Sequence, residues 1–204
     1  MRPLVLLVGV SGPDGSGKSS TVRGLAAGPW EADAHVRTAY LYGCTLCRRV
    51  PAAPHRLAAD GAGRGLSALA RSLHALVDVA EARLRLTLLL ARARLSGGPQ
   101  VVVTDRSPLD GLVKHRGDRR AGAAYARLAA RYARIVLLDA PADVLAARDG
   151  EHGAAELERL RGEYARAAAR LSNVVRAEPG RPVEELLLPV TARRGAALSG
   201  GGRS

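Results

Sequence analysis

Hydrophobic residues follow two rhythms along this chain. Short unbroken apolar runs occur at Leu4 to Val10, Val101 to Val103 and Ile135 to Leu138. Between them lie stretches in which apolar residues recur every three or four positions. The runs predict strands buried on both faces, and the periodic stretches predict helices packed against them. In order, the pattern predicts a strand over 4–10 and a helix from about Lys18 to Ala27, stopped by Pro29. A strand over 35–42 follows, then a loop over 43–64 that holds Pro51, Pro54, Gly61 and Gly63. Leu66 to Leu95 reads as one long helix or a helix pair, with Leu66, Leu69, Leu73, Leu76, Val77, Leu84, Leu88 and Leu95 at helical spacing. Gly97-Gly98-Pro99 breaks it, and the next strand ends on Asp105.

The remaining elements are a helix near 121–131, a strand over 135–139, and a helix over 142–148 opened by Pro141. After a break at 149–153, Leu157, Leu160, Tyr164, Ala168 and Leu171 mark an amphipathic helix. A short strand over 173–176 and a helix over 183–190 complete the series. Strands alternating with helices predict an α/β domain with a parallel sheet covered on both faces. Residues 1–194 form a single domain on this reading, and 195–204, rich in Gly and Ser, form a flexible tail.

Composition limits the class. Hydrophobic residues make up 47% and Phe is absent, which predicts a globular domain with an aliphatic core. The net charge of +12 fits an anionic ligand, and also fits arginine-rich solvated faces. The apolar start reads as a strand feeding a loop and not as a signal peptide, and no stretch approaches membrane-spanning length. Cys44 and Cys47 have the spacing of a redox pair or half a zinc site, and also suit two ordinary thiols in a loop. There is no second pair, so a four-cysteine zinc site within one chain is excluded. With no disulfide framework in view, the expected compartment is a reducing cytoplasm.

The most specific signal is Gly12-Pro13-Asp14-Gly15-Ser16-Gly17-Lys18-Ser19, which fits the phosphate-loop pattern G-x-x-x-x-G-K-[ST] between a predicted strand and helix. Lys18 and Lys114 are the only lysines in the chain. A triphosphate needs converging N–H donors and cationic compensation. Gly12, Gly15 and Gly17 permit the curled backbone, Asp14, Ser16 and Ser20 complete the loop, and the helix start contributes its positive end. The pattern assigns Lys18 to the β- and γ-phosphates and the Ser19 hydroxyl to Mg²⁺.

Asp105 ends a hydrophobic strand at the sheet edge where ligands bind, and Arg106 follows it. Such a carboxylate can orient Mg²⁺ or its waters, or can cap the next helix. Asp110 fits a helix cap and a substrate-hydroxyl contact equally well. Arg148, His152, Arg159 and Arg161 surround the Gly150–Gly153 break, as a closing lid over about 148–161 would require. Arg159 and Arg161 also fit a solvated helix face paired with Glu156, Glu158 and Glu163.

These segments resemble the thymidylate kinase-like branch of the nucleoside monophosphate kinases. The match runs over roughly residues 3 to 192. It includes Gly12 to Ser20, Thr104-Asp105-Arg106, and Leu138-Asp139-Ala140-Pro141 followed by Arg148. The resemblance implies a three-layer P-loop NTPase fold with a five-stranded parallel sheet and a short lid. It further implies ATP with Mg²⁺ and transfer of the γ-phosphoryl group to a small acceptor. Asp14 would then lie near an acceptor hydroxyl, Asp105 and Arg106 beside acceptor and metal, and Arg148 on the ATP phosphates.

The acceptor-side segments differ from those of thymidylate kinases. Leu41 to Arg49 replaces an Arg-Glu-Pro-Gly-Gly segment, Ser107 stands in an aromatic position, and Asp110 to His115 replaces a Ser-x-x-Ala-Tyr-Gln run. The acceptor therefore stays open. Arg48 or Arg49 gripping an acceptor phosphate would make it a nucleotide. A nucleoside, sugar or natural-product hydroxyl is the alternative, as is an ATP-binding regulatory protein without turnover. Nucleic acid is disfavoured by the lack of an aromatic platform, and a GTPase by the lack of Asn-Lys-x-Asp. Membrane partners are not expected, and self-association as a homodimer is left open.

Overall fold

The computed structural model describes residues 5–28, 30, 33–41, 61–150, 152–182 and 185–186, with α2 side chains from Ala70 onward. The elements are β1 (Val5–Ser11), α1 (Lys18–Ala26), β2 (His35–Tyr40), α2 (Gly61–Leu95), β3 (Gln100–Asp105) and α3 (Pro108–Lys114). They continue with α4 (Arg119–Ala129), β4 (Arg134–Leu138), α5 (Ala142–Asp149), α6 (Ala154–Ala168) and β5 (Val174–Ala177). The five strands form one all-parallel sheet in the order β2-β3-β1-β4-β5.

Successive residues of the central strands feed different cores, because side chains alternate across a sheet. Leu7, Val102, Ile135 and Leu137 join α2, α3, α4 and α6 on one face. Val8, Val10, Val101, Val103, Val136 and Leu138 join Val22 and Leu25 of α1 on the other. A smaller cluster of Ala140, Leu145 and Leu157 ties α5 to α6. The unbroken apolar runs in the sequence reflect this double burial. The core is aliphatic apart from Tyr125, Tyr132 and Tyr164, which are also buried.

Several expectations need correction. The second strand ends at Tyr40 and not at 42, and β5 is shifted one residue later than expected. α2 is a single helix that begins at Gly61, so residues 61–64 are helical despite two glycines. Its leucine stripe lies on the wrong side for a core. Leu73, Leu76, Leu84, Leu88 and Leu95 are exposed, while Ala75, Val79, Leu86, Leu90 and Ala93 face inward.

The pattern also missed α3. At seven residues it is shorter than any window in which a 3.6-residue period can be read. Its sequence signal is the cap: Ser107 accepts from the Leu109 N–H, Pro108 opens the helix, and Asp110 reaches back to the Ser107 N–H. Cys44, Cys47, Arg48, Arg49 and the tail lie outside the described residues, as does most of the predicted helix over 183–190.

Candidate functional site

β1 and β3 are neighbours whose connections diverge. β1 leads into α1 on one face of the sheet, and β3 leads into α3 on the other. Loops that part in this way leave a crevice at the carboxyl ends of the strands. A cavity of about 340 Å³ opens there, lined by Asp14, Gly15, Gly17, Lys18, Ser19, Ser20, Tyr40, Asp105 and Arg106. Its size is within the range of small-molecule sites.

Local backbone chemistry shapes the loop over 12–17. Gly17 has φ 83° at the N-cap of α1, a left-handed conformation that a side chain would strain. Gly12 lies so close to the Leu138 carbonyl that an added Cβ would stand 2.6 Å from its oxygen. The Ser16 hydroxyl is packed beside Gly12, fully buried and without a hydrogen-bond partner among the described residues. A buried polar atom left unmatched is costly and suits a polar ligand or water.

Lys18 is buried, with its ammonium donating to the Pro13 carbonyl at 2.6 Å and to Asp14 Oδ1 at 3.1 Å. Arg106 donates to the same Asp14 oxygen at 2.5 Å and to Asp110 Oδ1 at 3.2 Å. Burial, and then the neighbouring Arg106 charge, pull the Lys18 pKa below its ordinary value, against the opposing pull of Asp14. Burial would raise the Asp14 carboxyl, but Lys18 and Arg106 outweigh it and hold it down. Burial would lower the Arg106 pKa, and the negative charges of Asp110 and Asp14 more than reverse that. Arg106 also has φ 69°, the one non-glycine residue with positive φ among the described residues. Such strain concentrates at functional sites, and here it follows directly on Asp105.

Asp105 lies between Val10 and Tyr40 in the sheet register. Asp105 lines the cavity, and no cation pairs with it among the described residues. Ser19, also on the cavity, is an exposed residue. These two oxygen donors suit Mg²⁺, which binds through one or two protein oxygens plus substrate phosphates. Lys18, the unmatched Ser16 hydroxyl and the N–H groups at the start of α1 suit phosphate oxygens.

Other candidates are placed differently. Asp110 is 3% exposed, and its carboxylate accepts from Ser11, the Ser107 N–H, Arg106 and Tyr164. Of its two readings, the structure shows the cap, and Asp110 does not line the cavity. Arg148 is exposed in the last turn of α5 and is not among the cavity residues. Arg159 pairs with the buried Glu163 of its own helix at 2.7 Å, and Arg161 pairs with Glu158 of the helix at 2.5 Å and with Asp139, beyond the end of β4, at 2.7 Å. Only residues 150–153 separate α5 from α6, so most of the expected lid is helix. Sequence reasoning overlooked Tyr40, an exposed aromatic on the cavity wall whose only signal was its place at a strand end.

No helix among the described residues is long and apolar enough to cross a membrane. A scan against protein-family models finds no match to this chain, and a search of curated proteins finds no relative.

Proposed function

We propose that this chain is an ATP-dependent phosphotransferase with a P-loop, acting on a small acceptor, with a nucleoside monophosphate the first acceptor to test. One observation carries the reading. Lys18 and Ser19 from the β1–α1 loop, and Asp105 and Arg106 from the β3–α3 loop, line a single cavity at the divergence of the two loops. In that reading the protein contributes positioning and fixed charge, with little covalent chemistry of its own.

The acceptor oxygen bonds to the γ-phosphorus as the bond to the β–γ bridging oxygen breaks, ADP leaves, and the acceptor proton passes to solvent. Mg²⁺, when bound, would offset charge on the β- and γ-phosphate oxygens. Lys18 holds a positive charge against those oxygens, and Arg106 adds a second from the opposite wall. Asp14, shared by both cations in this structure, is the group an incoming phosphate would displace. Ser19 and Asp105 hold the metal side, and Tyr40 offers an apolar face to the acceptor.

ADP release should depend on an acceptor drawn from a panel of nucleoside monophosphates, nucleosides and sugars, and should fall by roughly 10²–10³-fold in Lys18→Ala. ATP binding with no turnover on any acceptor would replace this reading with that of a regulatory nucleotide-binding protein.

A further inference from the structure

Arg106 reaches the cleft from a backbone conformation that its side chain disfavours, at φ 69°. A long guanidinium at a strand end has many rotamers open to it, so holding one of them takes partners. Arg106 is held from two sides. In front, Nη2 donates to the half-exposed Asp14 at 2.5 Å. Behind, Nη1 donates to Oδ1 of the buried Asp110 at 3.2 Å and reaches the Gly12 carbonyl at 3.4 Å. A phosphate that displaces Asp14 removes the front contact. Asp110 then remains as the carboxylate that fixes the guanidinium.

The two oxygens of Asp110 are fastened by different parts of the chain. Oδ2 accepts from the Ser11 hydroxyl at 2.6 Å and from the Ser107 N–H at 2.8 Å, which ties it to β1 and to the cap of α3. Oδ1 accepts from Arg106 and, at 2.7 Å, from the hydroxyl of Tyr164. Tyr164 arrives from α6, 54 residues along the chain, and is buried. Phe is absent from this sequence, so a tyrosine in the core says little by itself. Its hydrogen bond says more, because a hydroxyl given to a buried carboxylate is a strong and directional contact. It occupies the oxygen that faces Arg106. Without it, Oδ1 would draw on Arg106 alone and pull the guanidinium back from the cleft.

α6 is itself anchored at this point. It packs on α3, and the buried Glu163 beside Tyr164 accepts from Arg116 of the α3–α4 connection at 2.8 Å. We propose that Tyr164 is a positioning residue for Arg106, acting through Oδ1 of Asp110 to keep the guanidinium at the cleft wall once Asp14 is displaced. The kinetic consequence rests on the phosphoryl-transfer reading, whereas the placement of Arg106 does not.

Tyr164→Phe keeps the ring and removes the hydroxyl, and its circular dichroism spectrum should match the parent's. The placement is tested with no substrate present, in an Asp14→Ala chain that lacks the front contact. There the NMR signals of the Arg106 guanidinium, identified by their loss in Arg106→Ala, should exchange with water about 10-fold faster when Tyr164→Phe is added. In turnover, Tyr164→Phe alone should lower kcat about 10-fold and leave the ATP KM within about twofold, since a misplaced cation costs more in the transition state than in binding. In an Arg106→Ala background the same change should lower kcat by less than about twofold, because the group it positions is gone. Equal exchange rates with and without the hydroxyl overturn the proposal, as does an equal loss of kcat with and without Arg106. Faster exchange in a chain that shows no acceptor-dependent ADP release bears out the placement and refutes the activity instead.

Discussion

Two clusters in this protein use the same ionic arrangement to different ends. In the cleft, Asp14 is shared by Lys18 and Arg106. Between α2, α3 and α4, Asp78 is shared by Lys114 at 2.8 Å and His115 at 2.7 Å. The second cluster is closed: Asp78 and His115 are buried, and the His115 ring lies parallel to Tyr125 with centroids 5.9 Å apart. The first opens onto a cavity, has a half-exposed central carboxylate, and stands beside Asp105, which pairs with no cation among the described residues. A shared carboxylate that is sealed by packing joins helices together. One that faces a cavity leaves its cations within reach of a second anion.

The sharpest way to break this contrast is to remove one charged group from each cluster. Lys18→Ala should lower phosphoryl transfer by roughly 10²–10³-fold, with thermal stability little changed, as read by ADP release and a melting curve. Retained turnover would show that the cleft is not the reacting site. Asp78→Ala should do the reverse. It leaves Lys114 and His115 without their shared acceptor and should cost about 2 kcal/mol in urea unfolding, with acceptor-dependent turnover intact.

Acid titration sharpens the same comparison. Burial raises the Asp78 carboxyl, but the hydrogen bonds from His115 and Lys114 overcome it and take the pKa to about 2. A carboxyl whose folded pKa is below its unfolded value stabilises the fold above the unfolded pKa of about 4, and that contribution is lost as pH falls toward 2. The amount is about 2 kcal/mol. Asp78→Asn should remove this part of the acid dependence, and an unchanged profile between pH 4 and 2 would contradict the assignment.

The smallest effect separates the two acids around Arg106. Asp110→Asn disturbs a capping box and a buried network, and should cost about 1 kcal/mol of stability. Asp105→Asn should leave stability within about 0.5 kcal/mol and raise the Mg²⁺ concentration needed for turnover. Equal stability losses in the two variants would erase the distinction between them.

Much of this was legible in the chain. The doubly buried strands announced themselves as unbroken aliphatic runs, because both of their faces meet helices. The 12–19 loop was legible because curled backbone demands glycine at fixed positions. Asp105 and Arg106 were legible from their place at a strand end. The clusters themselves were not. Asp78 comes near Lys114 and His115 only when α2 packs beside α3 and α4, and no spacing along the chain encodes that approach. Asp110 read equally well as ligand or cap until Ser11 and Tyr164 arrived from distant elements to complete its hydrogen bonds.

The leucines of α2 mark the boundary most clearly. Periodicity established that they share a helix face, since 3.6 residues per turn makes that a local property. Which face turns inward is not local, because α2 is apolar on both sides. Contact with β1, β3 and α4 selected Ala75, Val79, Leu86, Leu90 and Ala93 for the core and left Leu73, Leu84 and Leu95 outside. The sequence by itself determined the alternation of elements and the loop with Lys18. The tertiary structure decided which carboxylates face the cavity, which are sealed in hydrogen bonds and which leucines remain exposed, because burial depends on neighbours that chain order does not specify.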